Sequence, residues 1–287
     1  MRAVREIVVL SGKGGTGKTS FSAALANLAE GKVLADADVD AANLHLVLRP
    51  RVSEAYPFYG LPVAYIDRDR CGQCGQCAEF CRFQAIADFS VRQEKCEGCG
   101  VCAHICPGGA IERRPRQVGE VYISTTVAGP MVHAALVAGA ENSGKLVAEV
   151  RRRARAMARA ENLSLIITDG PPGIGCPVLS CLPDCDLAVL VAEPSAAGVH
   201  DLQRLLQVLQ HFRVPAAVVI NKWDIAVQRT REIEQLCAGR QVPLLGRIPF
   251  DSTVFRCLQQ GQCYLNVPAA PASRATRQVW QALQQLL

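Results

Sequence analysis

Four glycines and two lysines crowd into the ten-residue stretch Ser11–Ser20, SGKGGTGKTS. Residues 12–19 match the pattern G-x-x-x-x-G-K-[ST] and lie between a β-branched run, Ile7–Leu10, and a helix-prone run, Phe21–Ala29. Glycines let successive backbone N–H groups point at phosphate oxygens, and the positive end of the following helix adds to that field. The pattern predicts a phosphate-binding loop whose nucleotide-binding residues are Gly12, Lys13, Gly14, Gly15, Thr16, Gly17, Lys18, Thr19 and Ser20.

Two of these side chains have predicted chemical roles. Lys18 would bridge the β- and γ-phosphates, and the Thr19 hydroxyl would ligate Mg²⁺. A second magnesium ligand is Asp169, which ends the apolar strand Leu165–Thr168. The alternative for Asp169 is a turn or helix-capping aspartate.

Further polar residues follow other predicted strands. Asp36 and Asp38 lie at the tip of the strand Lys32–Ala35, with solvated turn aspartates as the alternative. Asn221 and Asp224 belong to NKWD, which literally matches the guanine-reading motif N-K-x-D of GTPases. Because ligands bind at the carboxyl ends of parallel strands, we expect these residues to lie near the phosphate-binding loop.

Cysteines form the second chemical feature, since eight of the 14 fall between Cys71 and Cys106. They make two runs with the spacing C-x2-C-x2-C-x3-C, which is the bacterial ferredoxin pattern, although Arg82 replaces proline after the first run. In that pattern the fourth cysteine of each run ligates the other cluster. The predicted 4Fe–4S ligand sets are Cys71, Cys74, Cys77 and Cys106 for the first cluster, and Cys96, Cys99, Cys102 and Cys81 for the second. Two zinc sites are the alternative, but they would leave cysteines surplus.

The remaining pattern predicts the fold class. Near-continuous apolar runs such as Leu187–Ala192 and Ala216–Asn221 alternate with helical runs such as Val199–His211. This alternation is typical of an α/β doubly wound, mostly parallel sheet with helices on both faces. The cysteine-rich stretch interrupts it, so we predict an ATPase-type domain in two parts, 1–51 and 119–287, around a small α+β ferredoxin-like insert, 52–118.

Composition limits the other functional classes. The net charge of +5 is too small to indicate nucleic-acid binding, and no apolar run is long enough to span a bilayer. The start, MRAVREIVVL, enters the first strand directly, so we expect no signal peptide. Since a cytoplasmic chain rich in cysteine binds metal more often than it forms disulfides, we expect a cytoplasmic metalloprotein.

Taken together, these motifs resemble the MinD/Mrp-type P-loop ATPases of the SIMIBI class that carry an inserted ferredoxin domain. The loop KGGTGKT is similar to their deviant Walker A signature, and DGPPGIG, residues 169–175, resembles their switch II loop. The resemblance implies a slow, Mg-dependent ATPase in which Lys13 reaches the partner subunit's phosphates and Asp38 positions the attacking water. It also implies that Asn221 reads adenine, and that a homodimer, or a heterodimer with a related ATPase, forms on ATP binding.

Three functions are compatible with this resemblance. The first is coupling of ATP to electron transfer through two 4Fe–4S clusters, with a protein redox partner. The second is an iron–sulfur or metal-cofactor carrier or assembly ATPase of the Mrp kind, with a cluster-acceptor partner. The third is a MinD/ParA-like positioning switch with structural or sensing clusters.

Some residues have two interpretations. Cys176, Cys181 and Cys185 would ligate an intersubunit cluster or lie in the core, and Cys237, Cys257 and Cys263 are expected in the core. The resemblance leaves the roles of His133 and Lys145 open. The basic run Arg151–Arg153, with Arg155 and Arg159, is expected to be a solvated helix face, and the last helix, residues 273–287, to pack on the core.

Overall fold

The computed structural model describes residues 4–137, 139–140 and 144–287, which divide into two compact units. The first unit comprises the chain up to Ala55, Val121–Ala135 and the described residues from Gly144 to Leu287. The second comprises Tyr56–Glu120 and the described residues that follow Ala135, up to Ala140. The boundaries 52 and 118, inferred from sequence, stay predictions, and the polar residues 141–143 lie outside the described part of the chain.

Thirteen strands and ten α-helices are assigned in the described residues. The strands are β1 Arg5–Ser11, β2 Lys32–Asp36, β3 Arg51–Tyr59, β4 Val63–Ile66, β5 Ile86–Ala87, β6 Ser90–Val91, β7 Ile111–Arg114, β8 Gln117–Thr126, β9 Gly129–Leu136, β10 Leu165–Pro172, β11 Leu187–Ala192, β12 Ala216–Asn221 and β13 Leu244–Ile248. The helices are α1 Lys18–Leu28, α2 Leu44–Leu48, α3 Gln76–Glu79, α4 Val101–Ile105, α5 Lys145–Ala160, α6 Cys176–Leu179, α7 Ala196–His211, α8 Val227–Gly239, α9 Ser252–Gln259 and α10 Pro271–Gln284.

Nine strands form one sheet in the order β13-β12-β11-β1-β10-β2-β9-β8-β3. The neighbouring pairs from β13 to β9 are all parallel. This confirms the predicted α/β class with a mostly parallel sheet. β10 continues through Pro172 as a strand, whereas the sequence placed a loop from Asp169 onward.

Both faces of the central part of this sheet are buried. Ile7 and Val9 belong to an apolar core that includes Phe21 of α1 and Trp280 of α10, and Val8, which points to the opposite face, is also fully buried. The last helix therefore packs on the core as expected. The parallel strands end along one edge of the sheet. The loops that follow them at this edge carry the polar residues of interest.

The second unit is built from two small antiparallel pairs, β4 with β7 and β5 with β6, and from the short helices α3 and α4. Ala64, Ile66, Ile86 and Ile111 form its apolar core. Six cysteines of the two runs pack against this core: Cys71, Cys77, Cys81, Cys96, Cys102 and Cys106.

Candidate functional site

The glycine-rich loop connects β1 to α1 at the carboxyl edge of the sheet. Gly17 has a φ of 94°, a left-handed conformation that favours glycine. A Cβ on Gly17 would overlap the amide nitrogen of Asn221, which donates a hydrogen bond of 2.7 Å to the Thr16 carbonyl. Two separate motifs of the sequence, the loop and the end of β12, are thus joined by one contact.

Charged and hydroxyl side chains converge behind the loop. Lys18 Nζ lies 3.0 Å from Asp169 Oδ1 and 3.2 Å from Asp38 Oδ2. Thr19 Oγ1 donates to Asp169 Oδ2 at 2.8 Å, and Ser22 Oγ donates to Asp169 Oδ1 at 2.7 Å. The structure therefore brings together the predicted phosphate lysine and both predicted magnesium ligands, and it adds Ser22, which sequence analysis missed.

These ion pairs change the acidity of buried groups. Burial acts to lower the pKa of Lys18, but the charges of Asp169 and Asp38 outweigh it, so the pKa is raised. The pKa of Asp38 is raised because its carboxyl is buried, against the opposing charge of Lys18. Lys18 consequently stays protonated, as a lysine that neutralises phosphate charge must.

Asp36 shapes the segment that carries Asp38. Its Oδ1 accepts the Asp38 N–H at 3.2 Å, and its Oδ2 accepts the Leu44 N–H at 3.3 Å. The side chain is 1% exposed, and burial, followed by the Asp169 charge, raises its pKa well above the ordinary range. Asp36 thus fixes the turn after β2 through both carboxylate oxygens.

Lys13 and Glu193 line a separate small cavity. Lys13 Nζ lies 2.5 Å from Glu193 Oε1 and 3.3 Å from Ser195 Oγ. Burial would raise the pKa of Glu193, but the bond from Lys13 and the charge of Lys222 lower it. Sequence analysis did not predict a role for Glu193. The feature that could have indicated one is its position directly after the buried strand β11.

Residues of the NKWD segment make several contacts within the fold. Besides the Asn221 bond, Lys222 Nζ donates to the Gly15 carbonyl at 2.9 Å. Asp224 Oδ1 accepts the Phe250 N–H at 2.7 Å. One oxygen of the exposed Asp224 carboxylate therefore accepts a backbone hydrogen bond.

A cavity of about 610 Å³ lies over the loop. It is lined by Gly14–Phe21, Asp38, Asn221, Lys222, Pro249 and Phe250, among others. Gly12, Lys13, Asp169 and Asp224 do not line it. The buried hydroxyl of Thr16 has no hydrogen-bond partner within the described residues. The cavity thus combines cationic and N–H groups at one end with an apolar wall at the other.

Four of the eight cysteines of the second unit lie round one cavity. Cys81, Cys96, Cys99 and Cys102 line one cavity, although Cys81 belongs to the other run. Burial raises the pKa of Cys102, and the charges of Cys96, Cys99 and Cys81 add to this. Burial likewise raises the pKa of Cys77, together with the charges of Cys71 and Cys74.

The fourth cysteine of each run accepts a backbone hydrogen bond. Ala85 N–H donates to Cys81 Sγ at 3.4 Å, and Ala110 N–H donates to Cys106 Sγ at 3.3 Å. All 14 cysteines are free thiols. Within residues 4–137, 139–140 and 144–287, no three His, Cys, Asp or Glu side chains form a group that could hold a single metal ion.

Several residues with open interpretations are now placed. Cys181 and Cys185 are buried, with the pKa of each raised to about 12 by burial, whereas Cys176 is exposed. Cys237, Cys257 and Cys263 are buried as expected. His133 is buried against Ser124 in the first unit, while Lys145 is exposed at the start of α5. In the part of the chain that the structure describes, no helix is long and apolar enough to cross a membrane.

The β1–loop–α1 unit on a parallel sheet, with a lysine and two carboxylates behind it, defines the P-loop nucleoside-triphosphate-binding class. A sequence profile of the CobQ/CobB/MinD/ParA nucleotide-binding domain matches residues 7–264. The chain belongs to that family.

Individual relatives fit this assignment. The uncharacterised protein MJ0578 of Methanocaldococcus jannaschii is 38% identical over 224 residues, which are 76% of this chain and 78% of the relative. A Drosophila grimshawi homologue of the cytosolic Fe–S cluster assembly factor Nubp1 is 29% identical over 122 residues, 35% of this chain and 39% of that protein. The septum site-determining protein MinD of Pyrococcus horikoshii, solved with Mg-ADP, has a similar fold, with a TM-score of 0.61 at 19% identity over 99% of this chain and 97% of that one.

Proposed function

We propose that this protein binds and hydrolyses Mg-ATP and couples its nucleotide state to one-electron transfer through two 4Fe–4S clusters. The convergence of Lys18, Thr19, Asp38 and Asp169 carries the nucleotide half of the proposal. The gathering of Cys81 with Cys96, Cys99 and Cys102 round one cavity carries the iron–sulfur half.

In the nucleotide site each residue has a distinct task. Lys18 binds the β- and γ-phosphates and neutralises charge, while Thr19 and Asp169 hold Mg²⁺. Asp38, held in place by Asp36, orients the water for in-line attack. Lys13 would act in trans across an ATP-bound homodimer or heterodimer, for which its ion pair with Glu193 must open.

One contact of Asp224 and the lining of the cavity support ATP rather than GTP as the substrate. A guanine-reading aspartate must offer its carboxylate to the base, whereas the Asp224 carboxylate accepts the Phe250 N–H. The apolar wall of the cavity, with Pro249 and Phe250, suits the face of an adenine ring.

The donor set fits iron–sulfur clusters better than zinc. Eight thiols with ferredoxin spacing, backbone N–H groups bonded to Cys81 and Cys106, and an apolar core beneath them are features of such sites. The first cluster would be held by Cys71, Cys74, Cys77 and Cys106, and the second by Cys96, Cys99, Cys102 and Cys81. When bound, each cluster accepts and releases one electron.

A second candidate function is iron–sulfur carriage or assembly, favoured by the likeness to the Nubp1 homologue. Full ligation by eight cysteines favours stable clusters and hence electron transfer. The deciding observation is whether iron stays with the protein or passes to an apo-acceptor protein.

The test uses anaerobically purified protein, reduced with dithionite and mixed with a one-electron acceptor while the visible iron–sulfur absorbance is followed. We expect Mg-ATP to change the rate of oxidation by at least threefold and GTP to have no effect. Lys18→Ala should abolish ATP turnover and this rate change but keep the chromophore. The matched control is Lys32→Ala, at the opposite end of β2 from Asp36. Iron-free protein, or oxidation indifferent to ATP, would refute the proposal.

A further inference from the structure

The two cysteine runs of the second unit are not surrounded alike, and the difference centres on Arg113. Arg113 Nη2 donates a hydrogen bond of 3.0 Å to the carbonyl of Gly98. Its Cδ, Nε and Cζ atoms each lie 3.6 Å from the place where a Cβ on Gly100 would be. The guanidinium thus lies on the loop that connects Cys96, Cys99 and Cys102.

The first run lacks this cover at the equivalent position. Gly75 follows Cys74 as Gly100 follows Cys99, and both glycines have left-handed φ angles, +77° and +80°. A Cβ on Gly75 would meet nothing within 4 Å. Counting from the fourth cysteine of each run, the counterpart of Arg113 is Asp88, which carries the opposite charge.

Contacts along the second loop fix this arrangement. A Cβ on Gly98 would lie 2.6 Å from the Pro62 carbonyl oxygen, so the chain passes too close for a larger residue. Arg113 also lines the cavity formed by Cys81, Cys96, Cys99 and Cys102. Glu97 lines the same cavity, and both Glu97 and Arg113 are exposed, but Arg113 donates a hydrogen bond to the loop itself.

We infer that Arg113 is a tuning residue that raises the reduction potential of the second cluster relative to the first. The inference rests on the proposed function, because it requires both clusters. Reduction adds one negative charge, and a fixed cation beside the loop stabilises that charge. Transfer of one electron from the first cluster to the second would make or break no bond, and Arg113 would bias that electron towards the second cluster.

The experiment is a redox titration of both clusters by electron paramagnetic resonance, with dithionite as reductant. Signals are assigned with Cys77→Ala, which lacks a ligand of the first cluster only. In Arg113→Gln we expect the equilibrium constant for placing the electron on the second cluster to fall about threefold to tenfold, where tenfold corresponds to 59 mV for a one-electron couple. The potential of the first cluster should not change.

Two further variants separate charge from structure. Arg113→Lys keeps the charge and should retain most of the potential, whereas Arg114→Gln, which removes a neighbouring exposed arginine paired with Glu112, should leave both clusters unchanged. A potential that falls equally in Arg113→Gln and Arg113→Lys, or an equal shift of both clusters, would overturn the inference while leaving the proposed function intact. Iron-free wild-type protein would refute both.

Discussion

Asp169 illustrates how a single residue organises the nucleotide site. Its carboxylate is fully buried, yet it accepts bonds from Lys18, Thr19 and Ser22. A buried carboxylate is tolerated only when it is paired and hydrogen-bonded in this way. The end of an apolar strand was enough to predict Asp169, Asp36 and Asp38 as a group, because carboxyl ends of parallel strands share one edge.

Ser22 and Glu193 show where prediction at this scale stopped. Ser22 contacts Asp169 and Glu193 contacts Lys13 only because the fold brings distant parts of the chain together. Ser22 lies one turn into α1, and Glu193 lies just after β11. Neither residue type is distinctive, so spacing along the chain gives no signal for them. Within the basic run the prediction of a solvated face was wrong for Arg151, which is 4% exposed, whereas Arg152 and Arg159 are exposed as expected.

His133 provides a prediction at the residue scale. Its ring lies 2.9 Å from Ser124 Oγ, and burial, with a contribution from the charge of His45, lowers its pKa to about 4. Because the unfolded state binds the proton first, between about pH 6.5 and 4, stability should fall as the pH drops through that window, by up to about 3 kcal/mol. Urea unfolding from pH 7 to pH 4 measures this.

The variant comparison isolates the histidine from other groups that titrate in the same range. His133→Gln should lose that part of the pH dependence, while His211→Gln, at an exposed position, should keep it. An identical pH profile for His133→Gln and the wild type would show that His133 titrates normally.

At the scale of elements, β11 and β12 were predicted residue for residue, since each is a buried apolar run bounded by polar residues. The predicted strand Leu165–Thr168 was too short, because β10 runs on through Pro172. β3 and β9 were missed altogether. The burial pattern of β3, Arg51–Tyr59, is exposed or intermediate throughout, so hydrophobicity gives no signal there, and its pairing is specified by tertiary context.

Arg151 links three elements and gives a prediction at this scale. Its Nε donates to Glu6 Oε1 of β1 at 2.6 Å, and its Nη atoms donate to the carbonyls of Ser180 and Pro183, both at 2.9 Å. α5 is thereby tied to β1 and to the segment after α6. Arg151→Ala removes one of the buried partners of the Glu6 carboxylate, which keeps Arg155 and Thr168, and should lower the free energy of unfolding by about 2–3 kcal/mol.

Arg152→Ala is the matched control on the same helix. Arg152 is 64% exposed and pairs with Glu149 three residues earlier, so its loss should cost less than about 1 kcal/mol. Equal losses in the two variants, measured by urea unfolding at pH 7, would contradict the assignment of Arg151 as a buried tie.

For the whole molecule, chain order was the most informative signal. The apolar α/β pattern breaks after the second strand and resumes at β8, which predicted a second body of different composition between two parts of one sheet. The structure divides the chain into two units near these places, at Ala55 and Val121. The effect of the nucleotide state on the cysteine unit could not be predicted. Such coupling depends on two conformations of the protein and on their relative stability, whereas the sequence pattern shows only the order of the elements along the chain.

Because the cysteines and the nucleotide site lie in different units, we expect one variant to affect iron content and ATP turnover separately. Cys77→Ala removes one ligand of the proposed first cluster and should lower the iron content by about half, because the proposed second set, Cys81 with Cys96, Cys99 and Cys102, stays complete. ATP turnover should remain, because the residues of the nucleotide site belong to the other unit. Iron analysis, visible absorbance and phosphate release on the same sample test both statements.

The control is Cys237→Ala, which removes a buried thiol of α8 and should keep the full iron content. Unchanged iron in Cys77→Ala would refute the ligand sets, whereas loss of all iron together with ATP turnover would show that the two chemistries cannot be separated.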